Sequence, residues 1–189
     1  MAKANVVKIV SPPCGSAYAW LSKPDEGQEY SDGKYKVTLL LDKDSKDTQS
    51  FIKELEAKCD EAAQEKWNGM PKKLSYPHKD GDEKDKEDFE GKWMLTAKTK
   101  FKPGMFDCSS PPTPLPEGSE PASGDLIKAS FSLFCYEAGG KKGVSAQLRN
   151  VQLIEKRNLG SSSMSDFDGV EGGYTAAQTA DDFEDDDDF

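Results

Sequence analysis

The chain has 189 residues, 35 Asp or Glu against 25 Lys or Arg, 35% apolar residues and no apolar run long enough to span a bilayer, which excludes a helical membrane protein. The start is not basic-then-apolar, and the four cysteines Cys14, Cys59, Cys108 and Cys135 form no C-x-x-C pair, so a soluble intracellular chain with reduced thiols is expected. Its acidity is localised: residues 161–189 hold ten Asp or Glu and no Lys or Arg, which leaves 25 acids against 25 bases in residues 1–160.

The first predicted elements are short. Residues 4–10 form a β-prone run stopped by Pro12 and Pro13, and AYAWLS, 17–22, forms another that ends at Lys23-Pro24. In GKYKVTLLLD, 33–42, Tyr35, Val37, Leu39 and Leu41 share one face while Lys34, Lys36 and Thr38 share the other, the pattern of a strand with one buried side and one basic side. From Asp47 to Trp67 the period changes: Phe51, Ile52, Leu55, Cys59, Ala62, Ala63 and Trp67 recur at three- and four-residue steps. This predicts an amphipathic helix, with Asp47 or Thr48 as cap and Gly69 as stop.

Residues 70–91 are polar, rich in Lys, Asp and Glu and broken by Pro71, Pro77 and Gly81, and read as a surface excursion. The strand pattern returns in KWMLTAKTKFK, 92–102, with Lys98, Lys100 and Lys102 on the outward parity and Trp93, Leu95, Ala97 and Phe101 on the inward one. Trp93 and Phe101 are therefore expected in the core. Consecutive outward lysines repel one another unless that face meets water or a polyanion. Six prolines between Pro103 and Gly124 predict an extended loop. IKASFSLFCY, 127–136, and VSAQLRNVQLIEK, 144–156, joined through a Gly-Gly-Lys-Lys-Gly turn, predict a hairpin.

Five or six strands with one helix and no β-α-β alternation argue against a doubly wound sheet. The fold class expected is all-β with one helix: an OB-fold-like five-stranded barrel capped by an α-helix over residues 1–160, followed by a disordered acidic tail over 161–189. A block of like charge cannot bury enough apolar surface to offset its ordering entropy. Yet the tail ends on an aromatic, Phe189, for which a solubilising segment has no use.

Catalysis is not indicated. The only histidine, His78, stands in a polar stretch without a Ser or Cys motif; no phosphate-binding glycine loop occurs, and no cofactor is expected. Asp80, Asp82, Glu83 and Asp85 are candidates for a metal-dependent nuclease, but their alternation with lysines is more characteristic of a solvated loop. Binding is better supported, because lysine-faced strands with exposed aromatics are the parts a sequence-tolerant single-strand binder needs. The backbone candidates are Lys34, Lys36, Lys98, Lys100, Lys102, Lys128 and Arg149, and the stacking candidates are Tyr18, Trp20, Trp93, Phe134 and Tyr136. Cationic charge comes from 23 lysines and only two arginines, which favours diffuse phosphate attraction over bidentate base reading. The rival is an acidic-tailed chaperone or nucleic-acid mimic that binds basic proteins.

The start MAK, AYAWLSKPDEG (17–27) followed by GKYKVTLLLD, FSLFCY (131–136) with VSAQLRNVQLIE (144–155), and the acidic end closing on DF (188–189) together resemble the single-stranded DNA-binding proteins of short-tailed, T-odd-type bacteriophages. The resemblance implies a helix-capped OB-fold, a homodimer, and a role in phage DNA replication, recombination and repair in the cytoplasm of the infected bacterium. It further implies coating of unwound DNA and contact of the tail, Asp185, Asp186, Asp187, Asp188 and Phe189, with the phage DNA polymerase and primase-helicase. By position Tyr136 matches the family's stacking aromatic, whereas a second aromatic of the family is Ala138 in this chain.

Overall fold

The computed structural model describes residues 7–26, 29 and 31–157. The strands are β1 (Lys8–Val10), β2 (Cys14–Trp20), β3 (Tyr35–Asp42), β4 (Leu74–Ser75), β5 (His78–Asp80), β6 (Lys92–Thr99), β7 (Gly104–Phe106), β8 (Leu126–Ala138) and β9 (Lys141–Glu155), and one helix, α1 (Lys46–Trp67), follows β3. Five of the strands close on themselves. β2 pairs with β3, β3 with β6, β6 with β9, β9 with β8 and β8 with β2. The β6–β9 contact is parallel and the other four are antiparallel, so the ring is a small barrel of the expected OB-like kind. Closure removes the exposed edges that an open sheet of this size would offer to other chains.

The inward parity of each strand fills the barrel: Val37, Leu39 and Leu41 from β3, Leu95 and Ala97 from β6, Ile127, Ala129 and Phe131 from β8, and Val144, Ala146, Leu148 and Val151 from β9. From α1, Phe51, Ile52, Leu55 and Cys59 join this cluster, with the Phe51 ring edge-on to Phe131 at 6.4 Å, so the helix covers one end of the barrel. Burial pushes the Cys14 and Cys59 thiols up to about 12, which fits their role as small packing groups.

Several boundaries differ from the sequence expectation. The run at 4–10 is a strand only over Lys8–Val10, and the one at 17–22 lies earlier, at Cys14–Trp20. The helix begins after Ser45, which makes no side-chain cap, and it ends on Asn68 in the left-handed region at φ 51, not on Gly69. Asp47 and Thr48 are thus first-turn residues, and Thr48 is buried. The excursion 70–91 contains β4, β5 and two 3-10 turns, Gly81–Glu83 and Glu87–Phe89. Within the proline-rich stretch, β7 pairs in parallel with β9. These short strands raise the tally among the described residues to nine, because the parts of β6 and β9 that run past the ring's own pairings have spare hydrogen-bonding groups that even a polar or proline-rich segment can satisfy over two or three residues.

The hairpin forms as expected, but its turn is only Gly139-Gly140, with φ of 57 and 75, and Lys141 already pairs with Ala138. Positive φ at both positions defines a two-residue type I′ turn, whose twist matches that of the strands. Farther along the hairpin, β8 residues Ser130 and Phe131 face Asn150 and Leu148, leaving Arg149 as an extra residue in a bulge.

His78 is packed in the structure, unlike a residue of a solvated loop. Its ring stands edge-on to Trp93 at 5.2 Å, Nε2 lies 3.1 Å from Glu56 Oε1, and Nδ1 is buried without a partner. Burial holds its pKa below the ordinary histidine value of 6.5, against the opposing pull of Glu56. The unfolded chain therefore takes up this proton first as pH falls, and the contribution of neutral His78 to stability is lost through that acidic range. His78→Phe is expected to flatten this part of the pH dependence, as measured by urea unfolding at neutral and mildly acidic pH.

Candidate nucleic-acid interface

The outward face of β3, β6, β8 and β9 is concave. Three depressions follow one another across it. The first, about 880 Å³, is lined by Lys36 and Thr38 of β3, Met94, Thr96 and Lys98 of β6, Tyr136 of β8 and Ser145 of β9. The second, about 530 Å³, shares Thr96, Lys98, Ser145 and Ala146 with it and adds Lys34, Lys100, Phe101 and Phe134. The third, about 360 Å³, shares Thr99, Phe101 and Gln147 with the second and adds Lys102 and Arg149. Together they make a continuous lane in which Lys34, Lys36, Lys98, Lys100, Lys102, Phe134, Tyr136 and Arg149 all take part.

Lys128 is the exception among the predicted cations. It borders a separate hollow of about 170 Å³ that meets the lane only at Asn150. Of the stacking candidates, Tyr18 lines the first depression, whereas Trp20 and Trp93 line none of the three. Trp93 is held between the His78 ring and the Lys43 ammonium, the latter 4.9 Å from the ring centre. It is half-buried and structural. The tail residues Asp185, Asp186, Asp187, Asp188 and Phe189 lie outside the described residues.

Phe101 is a correction. Strand alternation places it in the core, but β6 ends at Thr99, and the ring stands 77% exposed beside the 59% exposed Phe134. The period-2 argument fails beyond the last paired residue, where nothing fixes the alternation of sides. The sequence signal that could have found it is Pro103, two residues later, which forces the chain out of the ladder.

Tyr136 sits opposite Gly143 across the hairpin. An ideal Cβ on Gly143 would lie 2.6 Å from the Tyr136 Cζ and Oη, so the hydroxyl end of the ring occupies the space a side chain at 143 would take, and the residue is half-buried there. Gly143→Ala is therefore expected to fold normally while swinging the flexible tyrosine ring off its seat. The measurable outcome is unchanged thermal stability together with several-fold weaker affinity for oligo-dT.

The floor of the lane carries its own counter-charges. The Lys36 ammonium pairs with Asp25, a buried carboxylate, and Lys98 Nζ lies 2.7 Å from Asp32 Oδ2. The hydrogen bond from Lys98 holds the Asp32 carboxyl below the ordinary carboxylate range. Both acids belong to the segment between β2 and β3, and sequence reasoning missed them because nothing local links them to lysines 11 and 66 residues away. Thr38 of β3 and Thr96 of β6 share a hydrogen bond of 2.8 Å beside these two ion pairs, so the floor is polar and internally satisfied.

Two of the acids considered for a metal site, Asp80 and Asp82, are engaged within the protein. Asp80 and Asp82 both receive the Lys43 ammonium, and each also accepts a backbone N–H, from Asp82 at 2.9 Å and from Gly91 at 2.6 Å. Among the described residues no group of three or more His, Cys, Asp or Glu could hold a metal ion.

A closed five-strand barrel, helix-capped and carrying an aromatic-flanked cationic lane across one face, defines an OB-fold protein built to take an extended polyanion. Residues 7–188 match the family model described as Enterobacter phage Enc34, ssDNA-binding protein, and the chain belongs to that family. Protein p50 of Acyrthosiphon pisum secondary endosymbiont phage 1 is 28% identical over 182 residues, covering 89% of this chain and 92% of its own. The single-stranded DNA-binding protein of bacteriophage Enc34 in complex with ssDNA superposes with a TM-score of 0.68 at 22% identity, over 80% of this chain and 88% of that one. For gp2.5, a single-stranded DNA-binding protein encoded by bacteriophage T7, the TM-score is 0.62 at 22% identity, over 90% and 99%. At these identities the structural likeness speaks for a shared fold.

Proposed function

We propose that the protein binds single-stranded DNA without strong sequence preference, coats unwound DNA during phage replication, recombination and repair, and recruits replication enzymes through its acidic tail. The observation that carries this reading is the continuity of the lane: lysines from separate segments converge on one concave path bordered by Phe101, Phe134 and Tyr136. Lysine ammonium groups track phosphates as point charges, and each exposed ring offers a face to any base.

The carboxylates of Asp25 and Asp32 fit the same reading. In the free protein they satisfy Lys36 and Lys98, and an entering phosphate exchanges places with them, so the floor is never left with unpaired like charges. The ten acids of residues 161–189 act in the same sense on a larger scale, competing with DNA for the lane and, once displaced, presenting Asp185 to Asp188 and Phe189 to a basic pocket on the phage polymerase or primase-helicase. A homodimer is the form in which we expect the chain to act, in keeping with the resemblance of its sequence.

Titration of oligo-dT and of a duplex of equal length over a range of salt tests the proposal. The expected outcome is a clear preference for the single strand and a log–log salt slope of about 0.7 per phosphate engaged. Equal affinity for both DNAs, or none for either, would favour the chaperone reading, which a pull-down with a basic protein would then register.

A further inference from the structure

The alternating stretch KDGDEKDKED, residues 79–88, looks like a mixed-charge surface loop, yet the fold sorts its charges by side. Asp80 and Asp82 turn toward Lys43 and toward backbone amides, as described above. Lys79, Lys84 and Lys86 line the first depression, accompanied by the single carboxylate Asp85. Among the described residues neither Lys79 nor Lys84 has a carboxylate within ion-pairing distance, in contrast to Lys36 and Lys98 on the floor.

The segment is braced as a wall. Lys79 faces Met94 across the β5–β6 ladder, and Met94 itself floors the cleft. At Gly81 an ideal Cβ would lie 2.2 Å from the Phe89 carbonyl oxygen and 2.6 Å from that of Lys92, so the two 3-10 turns close on each other with no room for a side chain. Phe89, at the end of the second turn, is buried.

Against this wall packs Tyr18. It lies in an irregular stretch of β2, where the register slips between Ala17 and Trp20, and its φ is 49, a conformation that residues other than Gly, Asn and Asp rarely adopt. The distortion turns the ring into the cleft, where it remains 44% exposed. Lys86 Nζ donates to the Tyr18 hydroxyl at 2.7 Å and lies over the ring, and the Phe89 ring is 6.0 Å away.

We infer that Tyr18 with the wall lysines Lys79 and Lys84 forms a further nucleotide subsite that extends the lane past Tyr136, the two ammonium groups taking phosphates and the exposed part of the Tyr18 ring taking a base. The inference rests on the proposed function and adds a binding site to it. Lys86 is a positioning residue: it fixes the tyrosine ring. Because Lys79 and Lys84 have no ion-pairing carboxylate among the described residues, a strand meets them without displacing Asp25 or Asp32, and capture starts there.

The test uses the full chain, oligo-dT of increasing length, and 5-iodouracil placed at successive positions for photocrosslinking. With Lys79→Ala/Lys84→Ala the salt slope for long oligonucleotides is expected to fall by about 1.4, the contribution of two phosphates. Short oligonucleotides that fill only the Phe101–Phe134 stretch should bind as before. Crosslinks to the peptide containing Tyr18 should appear only with the longer strands, and Tyr18→Asn, which keeps a residue tolerant of the left-handed backbone, should remove the length-dependent gain in affinity. If both Lys79→Ala/Lys84→Ala and Tyr18→Asn match the parent in slope and length dependence while Phe134→Ala weakens binding, the subsite is overturned and the lane stands. If Phe134→Ala has no effect either, the lane falls with it.

Discussion

Deleting residues 161–189 is expected to tighten binding to oligo-dT roughly tenfold to a hundredfold at low salt, with the difference vanishing as salt is raised. The magnitude follows from competition within one chain. A tethered acidic segment presents its charges to the rest of its own chain at an effective concentration of about 1 mM. If it binds the lysine face with the weak affinity of non-specific polyanion contacts, on the order of 10⁻⁴ to 10⁻⁵ M, a competing strand sees its affinity reduced by that ratio. Screening weakens arm and strand alike at high salt, but the loss of the arm then no longer matters. Comparing oligonucleotide affinities of full-length and truncated chains across salt checks this, and equal affinities at low salt would remove the competition from the account. The same truncation should abolish co-sedimentation with the phage polymerase, and deleting Phe189 alone should do so with little effect on DNA affinity, because one apolar ring adds nothing to phosphate mimicry.

Replacing Phe134 by Ala is expected to cost about 1–3 kcal/mol of single-strand affinity, some 5- to 150-fold, with the melting temperature unchanged. The ring is exposed on a strand whose flanking residues Leu133 and Cys135 pack against the barrel core, so truncation opens no cavity. Phe101→Ala should lose a comparable amount. Since both rings line the same depression, the double variant should lose less than the product of the two single effects if they sandwich one base, and the full product if each holds its own. Equilibrium titration of the four proteins closes the cycle. Lys36→Ala is a poorer probe of the lane, because it leaves the buried Asp25 carboxylate unpaired and mixes a folding penalty into the result.

The lane also explains why a neutral body can attract a polyanion. Several of its acids brace structure: Asp80 and Asp82 hold Lys43, Asp60 accepts the Tyr76 hydroxyl at 2.8 Å, and Asp125 accepts the Arg157 and Ala122 amides at 2.9 Å. Asp25 and Asp32 alone among these engage lysines of the lane floor. Net charge therefore says little about this molecule; the side on which each charge lies decides what it attracts.

The strand and helix periods were legible in the sequence. Val37, Leu39 and Leu41 alternate with Lys36 and Thr38, Phe51, Leu55 and Cys59 recur at helical spacing, and the Gly139-Gly140 turn joins two alternating runs, because side-chain direction in a regular element depends only on local geometry. That local rule also delivered most of the cations of the lane, since a lysine opposite a core residue on a barrel strand has one face to occupy. What only the tertiary structure decided lies where the period stops or where distant segments meet. Phe101 follows the last paired residue of β6, the charges of 79–88 are sorted by a lysine 37 residues from Asp80, and Tyr18 is turned into the cleft by a slip in register. Each of these depends on contacts formed across the barrel, and such contacts leave no periodic trace in the chain.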